Sequence, residues 1–145
     1  MAEEPLSVSL RDLRILSTHL NEITDKAIQT VQEVEQFLND CNIGISVSVP
    51  TRVTEINGGV ERGDRYLAYE PVGRNRQFRF VVHDKFGPDK AWAECSREIK
   101  IESIAVLPKL IEALSSKITE KIRETDQSLE QVAQLLSHVR KGEQS

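Results

Sequence analysis

Two apolar ladders with heptad spacing flank a stretch of alternating, turn-rich sequence, and this arrangement restricts the fold more than any other feature of the chain. The first ladder runs Leu13, Leu16, Leu20, Ile23, Ala27, Val34 and Phe37, with Thr30 in the remaining slot. The second runs Ile104, Ile111, Ile118, Ile122, Leu129, Val132, Leu136 and Val139. Steps of three and four residues keep a ladder on one helical face. A mean repeat of 3.5 lets two helices hold a common seam over several turns. Between the ladders, residues 43–95 alternate apolar and polar side chains or carry turn residues. The expectation is an α+β fold in a single domain over 1–145: a long N-terminal helix, a small antiparallel sheet of three to four strands, and a long C-terminal helix.

Punctuation residues set the expected boundaries. Residues 1–8 read as a loose acidic start, and Ser9 caps a helix over 9–41, with Asp12 three positions on. Asn42 and Gly44 are its stop signals. Ile43, Ile45, Val47 and Val49 alternate with Gly44, Ser46 and Ser48, a half-buried strand that Pro50 confines to an edge or a bend. Val53 and Ile56 extend it towards the turn Asn57-Gly58-Gly59. Arg65–Val72 and Gln77–Asp84 form a hairpin around Gly73-Arg74-Asn75-Arg76. Phe78, Phe80 and Val82 share one face of the second arm. Ala91–Cys95 is a short fourth strand around Trp92. Ser96 caps the second helix, 96–141, in which Pro108 predicts a kink or restart near Leu107. Gly142 ends it, leaving a tail over 142–145.

Composition narrows the function classes. The net charge is −4, and hydrophobic and aromatic residues make up 39% and 5% of the chain, values that suit long, partly exposed helices. An acidic chain lacks the dense basic surface that nonspecific nucleic-acid binding requires. The charge is uneven: residues 57–100 hold nine Lys/Arg against seven Asp/Glu, while residues 1–56 hold four against nine. Cys41 and Cys95 fit no metal spacing and read as free thiols of a reducing compartment. The start MAEEPLSVSL lacks the basic and apolar regions of a signal peptide, and no run approaches a membrane span. The expected setting is cytoplasmic, with no membrane association.

Three groups of residues are candidates for function. The ladders are candidate interfaces, with Leu13, Leu16, Leu20 and Ile23 on the first helix and Ile111, Ile118, Ile122, Leu129, Val132 and Leu136 on the second. A sheet of four strands cannot cover two helices of this length. Each ladder therefore needs a homo-oligomeric or protein partner, or cover from the other helix in an antiparallel hairpin. Ser115, Lys121, Thr125 and Ser128 near the second seam lower its stability and can fix its register. The second candidate is Arg74, Arg76 and Arg79 beside Phe78 and Phe80, in a stretch from Pro71 to His83 without an acid. Such a set can hold phosphates and stack bases. The plainer reading buries the phenylalanines and pairs the arginines with Glu70 and Asp84. The third is His83-Asp84 near Cys95, a nucleophile, base and orienter in principle. His19, His83 and His138 lie in different elements, and nothing resembles a nucleophile elbow, a zinc helix or a phosphate-binding glycine loop.

Two long helices joined through two β-hairpins are similar in layout to a prefoldin alpha-type subunit. The likeness lies in length, helix order and hairpin number; residues 43–95 carry no shared motif, and Pro108 departs from the pattern. The resulting expectation is a non-enzymatic oligomeric or partner-binding protein that assembles through its helices and presents a small sheet, without cofactor or metal. The alternative is a small nucleic-acid or anionic-ligand binder using the three arginines.

Overall fold

The computed structural model describes the backbone of residues 3–144 and the side-chain surroundings of residues 9–143. The chain forms α1 (Glu3–Asp40), β1 (Val47–Pro50), β2 (Glu55–Asn57), β3 (Val60–Arg62), β4 (Arg65–Val72), β5 (Gln77–Asp84), β6 (Lys90–Ala91), a 3-10 turn (Trp92–Glu94) and α2 (Arg97–Gln144). The α+β architecture expected from the sequence is present. One antiparallel sheet has the order β1-β4-β5-β6, and β2 and β3 form a separate hairpin.

The central hairpin follows the alternation of its residues. Leu67 pairs with Val82 and Tyr69 with Phe80, so these four side chains share a face. Val49, opposite Leu67, joins them from β1. Phe80 is 1% exposed, and its ring and that of Phe78 pack on Tyr69 at centroid separations of 5.4 and 5.1 Å. Both helices cover this face. α1 supplies Val31 and Leu38, with Ile28 and Val34 alongside; α2 supplies Leu110 and Leu114, with Ile104 and Leu107 alongside. Trp92 and Cys95 close the cluster from the link into α2. Polar contacts fasten α1 to the sheet: the Glu35 carboxylate accepts the Phe80 N–H at 2.9 Å, and Asn39 Oδ1 accepts the Tyr69 hydroxyl at 2.5 Å.

Several boundaries differ from those expected. α1 begins at Glu3, not Ser9, so the loose start is helical from there; Met1 and Ala2 lie outside the described residues. Pro5 is tolerated because the first-turn amides of a helix have no intrahelical acceptor. The first strand opens at Val47 instead of Ile43, because Asn42 and Gly44 both adopt positive φ and the chain is still turning there. Val60–Arg62 is a strand the sequence reading left out; Gly58 and Gly59, at φ +58° and +84°, supply the turn before it. Ala91–Cys95 resolves into the end of β6 and the 3-10 turn. α2 runs unbroken past Pro108, so no restart occurs. The proline is exposed, while Leu107 and Leu110 on either side are held in or against the core and carry the helix through. α2 also continues past Gly142 to Gln144; Ser145 lies outside the described residues.

The relative direction of the helices decides what stays uncovered. Arg97, at the start of α2, donates to Asn21 Oδ1 at 2.5 Å. Ile45, just past the end of α1, shares a recess with Ile118. Residues 21–40 and 97–118 therefore run side by side in the same direction. The helices do not form the antiparallel hairpin that would cover the ladders. The start of α1 and the end of α2 leave the sheet from opposite ends.

Candidate functional site

The widest chemically distinct feature is the pair of projecting helical stretches. Every side chain from Ser9 to Ile23 and from Thr119 to Glu143 is exposed. These stretches extend roughly 22 Å and 38 Å at 1.5 Å per residue. Leu13, Leu16, Leu20 and Ile23 are between 41% and 63% exposed; Ile122, Leu129, Val132, Leu136 and Val139 are between 50% and 59%. Leu10, Ile15 and Leu135 are also exposed and widen both stripes beyond the residues singled out from spacing. Scattered exposed leucines are ordinary, but contiguous rows at helical spacing are not. Ile111 is 36% exposed, and Ile118 is half-buried against the core, so the second ladder changes role along its length.

The buried stripe of α1 is a second one, next to the ladder. Thr24, Ile28, Val31, Glu35 and Leu38 face inwards, whereas Phe37 of the ladder is exposed. Their steps of four, three, four and three repeat the ladder's spacing one residue along. From position 23 onwards the two stripes lie side by side: Val34 and Ala27 of the ladder are half-buried at the border of the core, while Ile23 and Phe37 stay exposed. The signal for Val31 and Leu38 was present in the sequence, hidden by a longer ladder of the same period.

The arginine cluster separates into parts. Phe80 is sealed in the core and Phe78 is half-buried against it, so neither ring is presented with the arginines. Arg74 and Arg76 lie in the hairpin loop, and Arg79 faces outwards on β5, where it reaches Gln77 Oε1 at 3.5 Å. Their expected pairing with Glu70 and Asp84 is absent among the described residues. Glu70 is engaged by His83, and Asp84 by Arg65 at 3.4 Å and by the Phe86 amide at 3.0 Å. Arg76 borders a recess of about 310 Å³ shared with Asn39, Asn42, Tyr69 and Gln77.

His83 sits between two carboxylates, with Nε2 on Glu70 and Nδ1 on Asp89 Oδ2 at 2.9 Å. Burial alone would lower the imidazole, but the hydrogen bonds with Asp89 and Glu70 outweigh it and raise the imidazole above its ordinary value. Cys95 does not join it. The thiol belongs to the core face of the sheet and donates to the Ala91 carbonyl at 3.4 Å, and burial raises its pKa. The nucleophile, base and orienter therefore do not converge. Both cysteines are free, Cys41 exposed and Cys95 buried. Among the described residues no group of three or more His, Cys, Asp or Glu is placed to hold a metal ion.

The densest polar constellation was not anticipated. Glu102 on α2 accepts from Arg52 Nε at 2.8 Å, from Thr51 Oγ1 at 3.0 Å and, through its other oxygen, from Arg65 Nη1 at 2.6 Å. Burial would raise this carboxyl; the hydrogen bonds from Arg52 and Thr51 and the two arginine charges prevail and hold it below the usual range. The network ties the segment just after β1, the start of β4 and the first turns of α2 together. Gly63 lies beside it because a Cβ there would meet the Arg52 carbonyl oxygen at 1.9 Å. Its chemistry is that of a fastening between elements. No helix among the described residues is long and apolar enough to cross a membrane. No protein-family model, no curated protein and no solved structure matches the chain.

Proposed function

We propose that this chain is a non-enzymatic assembly protein whose heptad-patterned helices join copies of itself or a partner chain, with the small sheet as the presented surface. One observation carries the reading: the apolar seams of α1 and α2 stay exposed after the chain has completed its own core. Helical stability in proteins comes mostly from packing of an amphipathic face, and the projecting stretches find no such cover within the single chain. Cytoplasmic residence belongs to the same reading and is supported by two unbridged cysteines. The test is the mass in solution by light scattering, wild type against Leu129→Asp/Leu136→Asp. Both leucines are exposed in the single chain, so the fold tolerates the change, whereas a carboxylate buried in a seam loses its solvation. The expected result is an oligomeric wild type and a folded, smaller variant. Equal masses for the two would refute assembly through this seam.

A second reading is favoured by one observation: Arg74, Arg76 and Arg79 have no carboxylate partner among the described residues. Three arginines can neutralise about three phosphates, which gives a shallow salt slope and weak binding. The expected outcome is that single-stranded RNA is not retained at about 150 mM salt, where the Debye length is about 8 Å. Tight binding there, abolished by changing all three arginines to Glu, would promote the anion-binding reading.

A further inference from the structure

The face of α2 that its own sheet leaves open has a composition that selects its occupant. We infer that the segment 122–139 packs against the same segment of other copies, parallel and in register, in a bundle of more than two helices. This deepens the assembly reading above and rests on it.

Spacing assigns the seam positions without ambiguity. In a heptad lettered a to g, the step from a to d is three residues and from d to the next a is four. Ile122, Leu129 and Leu136 are therefore at a, and Ile118, Thr125, Val132 and Val139 are at d. Two-stranded parallel coils favour β-branched residues at a and Leu at d; the reverse arrangement favours three or four strands. Here every d residue is β-branched, and two of the three a residues are leucine.

The flanking positions agree. Leu135 occupies a g position and is 65% exposed, and Ser128 and Ala133, at g and e, are small. Towards its end the apolar stripe thus widens beyond a and d through Leu135 and Ala133, and a helix with neighbours on two sides buries such a stripe.

Charge and polarity set the direction. Parallel packing brings g of one helix against e of the next heptad on its neighbour, so Lys121 meets Asp126 of another copy. Among the described residues Lys121 has a loose approach to Glu124 at 3.8 Å, and Asp126 has no ion-pair partner. In antiparallel packing g faces g and e faces e, and this pair never forms. Thr125 adds the register. In parallel, in-register packing its hydroxyl meets the same hydroxyl of its neighbours; in an antiparallel arrangement d faces a, so it is buried against an apolar a residue, Ile122, Leu129 or Leu136. A buried hydroxyl without a partner is costly, so like against like is preferred. Closure of such a bundle is cyclic, which keeps it finite. The free end of α1 leaves from the other end of the sheet and does not obstruct it.

The experiment combines mass with distance. Single spin labels go on Glu124→Cys and His138→Cys, both at c positions, in a Cys41→Ser background, with distances read by pulsed electron resonance. Parallel packing predicts that each label is close to its own counterpart and that mixed samples show an added separation of about 21 Å along the axis, from the rise over 14 residues. Antiparallel packing predicts the opposite pattern. Light scattering on the same samples should give three or four chains. As a second arm, Asp126→Lys should weaken association a few-fold at low salt, and Lys121→Asp/Asp126→Lys should restore it. An oligomer sensitive to Leu129→Asp/Leu136→Asp but antiparallel, or containing two chains, would overturn this inference and leave the assembly reading standing. A head-to-tail filament joining α1 to α2 would do the same. An oligomer insensitive to those substitutions would overturn both, and so would a strict monomer.

Discussion

Phe80 and His83, three residues apart on β5, show how a single position is assigned its task. Phe80 points into the core, where Tyr69 and the helices enclose it. Phe80→Ala should cost about 3–5 kcal/mol in chemical denaturation, and an unchanged transition would mean the ring is not enclosed. His83 points the other way and is held by two carboxylates, which favour the charged ring. A group whose folded pKa is raised contributes stability that is complete below its ordinary value, 6.5, and is lost as pH rises through the raised value. The melting-temperature gap between wild type and His83→Gln should therefore be widest in mild acid and narrow with rising pH. Glu102 has the opposite sign. Its lowered pKa makes its contribution present above 4.5 and lost as pH falls through the depressed value. A gap for His83→Gln that widens with rising pH would contradict the assignment of the charged ring.

At the scale of elements, strong periodicity was legible and cooperation between distant residues was not. The boundaries of β4 and β5 follow from their alternation and from the glycine-led loop between them. The hairpin of β2 and β3 escaped because Glu55–Asn57 and Val60–Arg62 are short, mostly polar and fully exposed. The Glu102 network escaped because it joins Thr51, Arg52 and Arg65 across separations of 51, 50 and 37 residues, which no local pattern encodes. The restart expected at Pro108 does not occur, because the burial of Leu107 and Leu110 carries the helix through it. The candidate interface was legible as a ladder, but which of two stripes on α1 turns inwards depends on where the sheet lies. In α2 the polar d position is the element's own weak point. Thr125 is exposed in the single chain and enters the seam only in the proposed bundle, where Thr125→Val would remove a buried hydroxyl and keep the β-branched shape, so thermal melting followed by circular dichroism should shift upwards at a fixed protein concentration. A downward shift would show that the hydroxyl layer is more than a register device.

At the scale of the whole molecule, the fold has a fastened centre and two projecting arms. The sheet, the second half of α1 and the first half of α2 share one core, while residues 9–23 and 119–143 contribute nothing to it. In the proposed assembly the apolar ladders exposed at both ends are the surfaces that other chains cover. The central claim is that the arm of α2 is held helical by other copies. Amide hydrogen exchange across 119–143, measured over a dilution series, tests it most directly. The account predicts protection at high concentration that falls on dilution and is absent in Leu129→Asp/Leu136→Asp, while the Leu110–Leu114 stretch stays protected throughout. Protection of the arm that is independent of concentration and indifferent to the two substitutions would contradict it, as would rapid exchange of the arm at every concentration.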